Sequence, residues 1–402
     1  MKKNKIFYSI IFTILVFLNN SCVEPYDIKP TTSENALIIK ATITNEYKNQ
    51  EIYLSKVFPL DSNGPSPESN AVVKIIDDNQ NTYNFIETIP GKYISSNEFE
   101  AQPNINYQLF ITTQEGKSYT TEPTQLTSIT QIDNLYPSLE VNDLGFENIT
   151  LFVDSYNPNG DSRYYRYEFE ETYKIVAPKW NQYDLVVVQN SNSYTIEKQL
   201  KTREEKTCYN TVNSNSIIQK ETTGFIEDRV TKFPVRILSK DNTIISHRYS
   251  ILVKQYVQSL EAFTFYKTLN KLSGSESIFS QNQPGFFGGN VFSVDSPNDK
   301  VVGLFEVSSV STKRIFINYQ DFFPNQPLPP YFTECEPFAP TNKPEGGDLS
   351  DLAVTLNSGT VKYFRDNLEP NYTNPGPYLV VPVECGDCTK YGTNVKPTFW
   401  VD

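Results

Sequence analysis

The chain has 402 residues, with 35 Lys and Arg against 47 Asp and Glu, one His, and a net charge of −12. So acidic a balance argues against nucleic acid and against anionic lipid surfaces as partners. One histidine, and no methionine beyond Met1, leave few means for transition-metal chemistry or histidine-based catalysis.

The first predicted element is a targeting segment. Lys2, Lys3 and Lys5 make a positive start, and residues 6–18 form an apolar run broken by Tyr8, Ser9 and Thr13. The run is shorter than the roughly 20 apolar residues of a membrane-spanning helix and fits the core of a secretory signal peptide over residues 1–21. Ser21 then precedes Cys22. Cleavage between them would free the Cys22 amine and leave its thiol for acylation, so Cys22 is the expected lipidation site. The position three residues before it, usually Leu in a lipobox, is Asn19, with Leu18 one step further out. An ordinary signal peptide with an incidental cysteine, or an uncleaved anchor, is the alternative. Two or more acyl chains at one site anchor stably, where a single chain binds marginally. Loss of the segment, with its three lysines and no acid, would take the charge from −12 to −15. Residues 22–35, polar with Pro25 and Pro30, read as the lipidated end and a tether.

Residues 36–128 carry short strand patterns at regular spacing: 36–44 (ALIIKATIT), 51–58, 71–76, 82–87, a strand opening at Gly91-Lys92-Tyr93, 107–113 and 117–121. Tyr, Phe, Thr, Ile and Val suit pleated, half-buried surfaces. Seven such strands with turn signals between them predict an immunoglobulin-like β-sandwich, here without a cysteine to cross-link it.

Residues 129–402 read as a larger β-rich domain. Strand patterns fall at 149–153, 164–176, 183–188, 193–200, 235–238, 244–246 and 249–253. Within 247–272, Val253, Tyr256, Leu260 and Phe263 fall at helical spacing, Tyr266 and Leu269 continue by threes, and Gly274 supplies a stop. This is the prominent helix, with its apolar stripe expected on a sheet rather than in a membrane interface. Residues 283–292 (QPGFFGGNVF) are a glycine-rich aromatic loop entering a strand. A phosphate cradle would need a helix to follow, and a β-type run follows instead. Strands are expected at 301–307 and 314–319, then a Pro- and Phe-rich surface excursion over 321–348.

Besides Cys22 the cysteines are Cys208, Cys335, Cys385 and Cys388. An even number in an exported chain predicts structural disulfides. CGDC at 385–388 could close on itself, or its members could reach Cys335 and Cys208. Cross-links are favoured because a long loop restrains the unfolded chain more than a two-residue clip. A thioredoxin-like CxxC needs a helix N-terminus, and a four-cysteine zinc site usually has two CxxC pairs. Neither pattern is present. His247 has no HExxH or GxSxG context, the pairs Glu170-Glu171 and Asp77-Asp78 are too ordinary to mark a glycosidase, and the 154–161 turn (DSYNPNGD) does not have EF-hand spacing. The chain is expected to be no enzyme and to carry no cofactor or metal.

SCVEPYDI after the targeting segment, GKSYTTEP at the end of the first domain, GGNVFS followed by VVGLFEVSS, and the terminal CGDCTKYGTNVKPTFW resemble the Bacteroidota lipoprotein family known as domain of unknown function 4249. The terminal residues Cys385, Cys388, Gly392, Lys396, Pro397, Phe399 and Trp400 carry the resemblance furthest. Glu24 and Asp27, close behind Cys22, resemble the signals that send some lipoproteins of that phylum to the cell surface. The resemblance brings no catalytic residues. It implies a β-rich companion of a TonB-dependent outer-membrane transporter, in the place of a helical lid lipoprotein, or a part of a larger outer-membrane assembly. The expected partner is an outer-membrane β-barrel protein. The alternative is a carbohydrate- or peptide-binding surface lipoprotein acting alone.

Overall fold

The computed structural model describes residues 36–56, 66–191, 193–273, 288–296, 299–344 and 349–402. Cys22, the targeting segment, the tether and the 283–287 part of the glycine-rich loop lie outside the described residues. The fold is mainly β, with one long helix, as the composition predicts.

The first part of the chain forms β1 (Leu37–Thr44), β2 (Glu51–Lys56), β3 (Ser66–Pro67), β4 (Val72–Asp77) and β5 (Thr82–Ile89). β6 (Lys92–Ser95), β7 (Asn106–Thr112), β8 (Ser118–Thr121) and β9 (Thr124–Gln125) follow. Period-two alternation fixes their faces. In β1, Leu37, Ile39, Ala41 and Ile43 are buried and Lys40 is exposed. With Leu54, Ile75, Tyr93, Tyr107 and Leu109 they make the first core.

The middle of the chain forms β10 (Ile132–Val141), β11 (Glu147–Asn157), β12 (Tyr164–Val176), β13 (Tyr183–Gln189) and β14 (Tyr194–Leu200). After these come β15 (Thr207–Asn213), β16 (Ile218–Glu221), β17 (Asp228–Ser239) and β18 (Arg248–Val257). The helix α1 (Leu260–Ser273) leads to β19 (Val291–Ser293) and β20 (Val301–Asn318). The last part holds α2 (Tyr319–Phe322), α3 (Asp351–Asn357), β21 (Val361–Asp366), β22 (Tyr378–Pro382) and α4 (Val383–Gly386). Tyr165, Tyr167, Leu151, Ile251, Val253 and Phe323 centre the second core.

Among the described residues, 15 strands join in one sheet, along the path β15-β12-β18-β20-β1-β2-β6-β5-β4-β7-β8-β19. β20 is the hinge of this path. Residues 301–308 pair in parallel with β1, and residues 309–318 pair antiparallel with β18. Val301, Phe305 and Val307 thereby enter the first core and Ile317 the second. The strands at 36–128 thus take a parallel neighbour and core side chains from β19 and β20, across the boundary that the sequence suggested at 128.

Two local differences from the sequence reading have clear causes. The expected break between 307 and 314 is absent because the hydroxyls of that stretch are used by neighbouring strands. Ser308 Oγ donates to Val257 O at 2.7 Å and Ser309 Oγ to Ser128 O at 2.6 Å. Pairing on both sides likewise holds β18 extended to Val257 despite its helical spacing, since β12 and β20 both bond to it. The helix begins only at Leu260, after Ser259 caps it by accepting from Ala262 N at 3.1 Å. The short pattern at 244–246 is a 3-10 turn, Thr243–Ile245, capped by Asn242.

The glycine-rich GGNVF run serves packing. A Cβ on Gly289 would lie 1.7 Å from Gly303 O, and one on Gly303 2.6 Å from Ile39 Cβ, so backbones meet there that no larger residue would allow. Asn290 then brackets Phe305, donating to its O and accepting from its N, both at 2.8 Å.

The C-terminal region closes over the second core. Cys208 bonds Cys388 and Cys335 bonds Cys385, so CGDC sends its two cysteines to different partners. The Pro-rich excursion is partly inward: Phe323 is fully buried, and Phe332 stacks on Tyr391 at 4.5 Å. Thr393 exchanges two 2.8 Å backbone bonds with Tyr209, Trp400 packs on Tyr209 and Phe316, and Arg314 lies 3.6 Å over the Phe399 ring.

Beside the first bridge, Lys201, Arg203 and Lys362 converge on the buried Glu205. Burial alone would raise the Glu205 carboxyl, but hydrogen bonds from Lys201, Arg203 and Lys362 outweigh it and hold the pKa at about 2. A carboxyl held below its usual 4.5 adds stability that is present above that value and lost as pH falls toward about 2. Glu205→Gln is therefore expected to lower the urea midpoint at pH 6. The gap from the parent should close as the titration approaches pH 2, and a gap independent of pH would contradict this.

Candidate ligand-binding cleft

Strand alternation builds the site. Tyr165, Tyr167 and Phe169 of β12 enter the second core, which puts Arg166, Glu168 and Glu170 on the opposite face. Arg166 lies opposite Tyr256 and Glu168 opposite Lys254 on β18. On the adjoining strands, Lys40 of β1 pairs with Leu304 and Thr42 with Glu306 of β20. The helix α1 crosses this face with Ala262 and Phe263 buried, and brings Tyr266 down onto it.

The centre is the Arg166 guanidinium. It sits 4.3 Å from the Tyr256 ring and 4.7 Å from the Tyr266 ring, and forms ion pairs with Glu168 and, at 3.4 Å, with Glu306. The Arg166 and Glu306 side chains are only 6% and 2% exposed. Glu306 also accepts from Gln258 Nε2 at 3.0 Å, so its charge is hydrogen-bonded as well as paired. Burial opposes the arginine charge, but Glu306, Tyr266 and Glu168 outweigh it and hold the pKa above its usual value. Burial would raise Glu168, yet Arg166 and Lys40 keep it below the carboxylate range. Burial pushes the Tyr266 hydroxyl up to about 12. Arg166 Nε is buried and has no hydrogen-bond partner among the described residues.

Two cavities share Lys40, Arg166, Glu168 and Ser214 as a common wall. One, of about 470 Å³, is polar and includes Lys48, Asn49, Gln50, Tyr53, Asn213 and Lys254. The other, of about 640 Å³, is lined by Ile38, Ile217, Phe265, Leu269, Val302 and Leu304. Both volumes suit a small-molecule cleft. Charge is unevenly matched in the polar half. Lys48 pairs with Glu46, and Glu51 with Lys92, whereas Lys40 and Lys254 have no ion-pair partner within 4.0 Å among the described residues.

The residues singled out from the sequence lie elsewhere. Cys208, Cys335, Cys385 and Cys388 are consumed by the two bridges. His247 is half-buried, and burial with Lys174 nearby lowers its pKa, so the ring is neutral at pH 7. Glu170 and Glu171 face opposite ways, Glu170 to Arg314 and Glu171 to Arg236 and Tyr249. Asp77 accepts from Asn81 and Tyr83, and Asp78 from Asn106, so both brace turns. In the 154–161 turn Asn157 bonds Asp161, and among the described residues no group of three or more His, Cys, Asp or Glu is placed to hold a metal. The sequence reading missed Arg166. Its signal was an arginine in the strand pattern YYRYEFEE, where alternation alone predicts a solvated face and says nothing of a helix that covers it.

A sequence model of the family described as domain of unknown function (DUF4249) matches residues 23–314. No curated protein matches the chain.

Proposed function

The chain belongs to the family of domain of unknown function 4249, and from that premise we propose that it is a non-catalytic, lipid-anchored accessory protein that docks on an outer-membrane β-barrel of the TonB-dependent transporter kind, or on a larger outer-membrane assembly. One observation carries the reading: the tip of the β10–β11 hairpin is apolar, exposed and conformationally fixed. Leu144 is 80% exposed and Phe146 62%. Asn142 Oδ1 accepts from both Leu144 N, at 3.0 Å, and Phe146 N, at 2.9 Å, and Gly145 takes a φ of +83° to close the turn. A rigid apolar tip loses little entropy on contact, which is how preorganised anchors bind. Below it Glu140 pairs with Lys232 and Glu147 with Lys240, at 2.9 and 2.7 Å, so the hairpin end carries little net charge. Cys22, by the sequence reading, is the lipid anchor.

The test is affinity purification of the tagged full chain after gentle detergent extraction. A barrel protein is expected to co-purify. Leu144→Ser with Phe146→Ser should cut its recovery by about tenfold, the usual effect of removing a central apolar anchor, without moving the melting temperature. Recovery of the parent with no barrel protein would sink the proposal. A stand-alone ligand-binding lipoprotein is the second reading, favoured by the cleft around Arg166.

A further inference from the structure

We propose that the cleft around Arg166 binds a small amphiphilic anion, with a carboxylate at the Lys40–Lys254 end and an apolar body at the Phe265–Leu269 end. This rests on the ligand-binding reading and stands apart from docking on a barrel.

The chain is strongly acidic, at −12, and in such a protein lysines on a strand face ordinarily find carboxylates. Those of the cleft are assigned elsewhere. Glu168 and Glu306 are taken by Arg166, and Glu51 is taken by Lys92. Arg166 with its two carboxylates carries one negative charge, so Lys40 and Lys254 leave the group one positive charge in excess. An anion of unit charge would balance it. Lys254 is half-buried, where an unpaired ammonium gains most from a partner. A desolvated donor, Arg166 Nε, waits in the wall between the two cavities, and such buried orphans call for a partner.

The shape of the cleft points the same way. Past the arginine the lining changes from Lys, Asn and Gln to Ile38, Phe265, Leu269, Val302 and Leu304. Carbohydrate would leave this half dry and unmatched, while an alkyl or apolar side chain would fill it. The Tyr256–Arg166–Tyr266 stack holds the boundary between the halves in place, so the head and tail ends are fixed before any ligand arrives.

The chemistry fits a fatty carboxylate or a short apolar peptide with a blocked amine and a free C-terminal carboxylate. The experiment uses the full chain in nanodiscs, with empty nanodiscs as the blank, titrated calorimetrically. The probes are octanoate, octanol, and an N-acetylated apolar tripeptide with free or amidated C-terminus. Saturable binding of octanoate or of the free-acid tripeptide is expected, each at least about tenfold tighter than its neutral counterpart, and the tighter of the two identifies the source. Lys254→Gln and Lys40→Gln should each weaken the acid about fivefold and leave octanol unchanged, while circular dichroism stays that of the parent. Equal binding of acids and neutral probes would overturn the anion assignment. Absence of binding by all four probes would overturn the site. Either result leaves the barrel co-purification free to succeed or fail separately.

Discussion

Replacing Cys208 and Cys388 together by serine is expected to cost about 5 kcal/mol of unfolding free energy. The bridge closes a separation of 180 residues, against 50 for Cys335–Cys385. Loop-closure entropy grows with the logarithm of length, which puts the shorter bridge near 4 kcal/mol. Both sulfurs of the longer bridge are fully buried, so two serines would also bring hydroxyls into the second core. The bridge ties β15 to the turn that starts the terminal wrap, where Cys388 N donates to Glu205 O at 2.9 Å. Without it the C-terminus would be held by noncovalent contacts such as the two Tyr209–Thr393 bonds, the Trp400 packing and the Arg314–Phe399 contact, together with the Cys335–Cys385 bridge. The measurement is equilibrium urea unfolding under oxidising conditions. The two losses should fall short of their sum, because the loops overlap and their entropies are not independent. A midpoint unchanged from the parent would mean that the C-terminal wrap holds the second core without covalent help. Non-reducing peptide mapping should find Cys208 joined to Cys388 and no peptide with Cys385 closed on Cys388.

Arg166→Met should be the most damaging single substitution in the cleft, at about 3–5 kcal/mol, because it leaves Glu306 buried and without a cation. The methionine would fill most of the space between Tyr256 and Tyr266, so the loss is chiefly electrostatic. That gives the prediction a pH signature. A buried carboxyl without its partner has a folded pKa above its unfolded value. Such a group is neutral and harmless in acid, and it destabilises as pH rises above the unfolded value of about 4.5. The deficit of the variant against the parent should therefore shrink on going from pH 7 to pH 4. The double variant Arg166→Met with Glu306→Gln should recover a good part of it at pH 7. Denaturant midpoints across that range decide the matter. A deficit that ignores pH, and that the double variant does not relieve, would assign the arginine's role to packing on the two rings.

The strands were legible where one face is core and the other is water. The patterns at 36–44 and 164–176 correspond to β1 and β12 because Ile39 and Ile43, or Tyr165 and Tyr167, recur at period two. What the sequence hid was partnership. Nothing local says that residues 301–308 lie beside β1, more than 250 positions away, since parallel pairing leaves no turn between its strands to read. The Ser-rich stretch after Val307 looked like a break for the same reason: its hydroxyls serve strands far off in the chain. The helix was found from its stripe but not its start, because tertiary pairing holds β18 extended through Tyr256. The cleft was invisible for a further reason. Arg166, Lys40 and Lys254 are ordinary strand residues one by one, and only the crossing of α1 over their common face makes them a site.

The strand β20 also sets an order of events. A chain made from its amino end offers Ile39, Ile43, Leu54 and Leu109 early, but the strand that lies along β1 comes more than 250 residues after β1 itself. Until residue 308 has emerged, one long edge of β1 stays bare and the first core lacks Val301, Phe305 and Val307. A half-made molecule of this kind is sticky, since open strand edges and uncovered apolar faces are what aggregate. The time between the arrival of β1 and the arrival of β20 is therefore the period in which this protein most needs a chaperone, and a stop or a pause in that interval would leave a fragment with no way to finish its own interior.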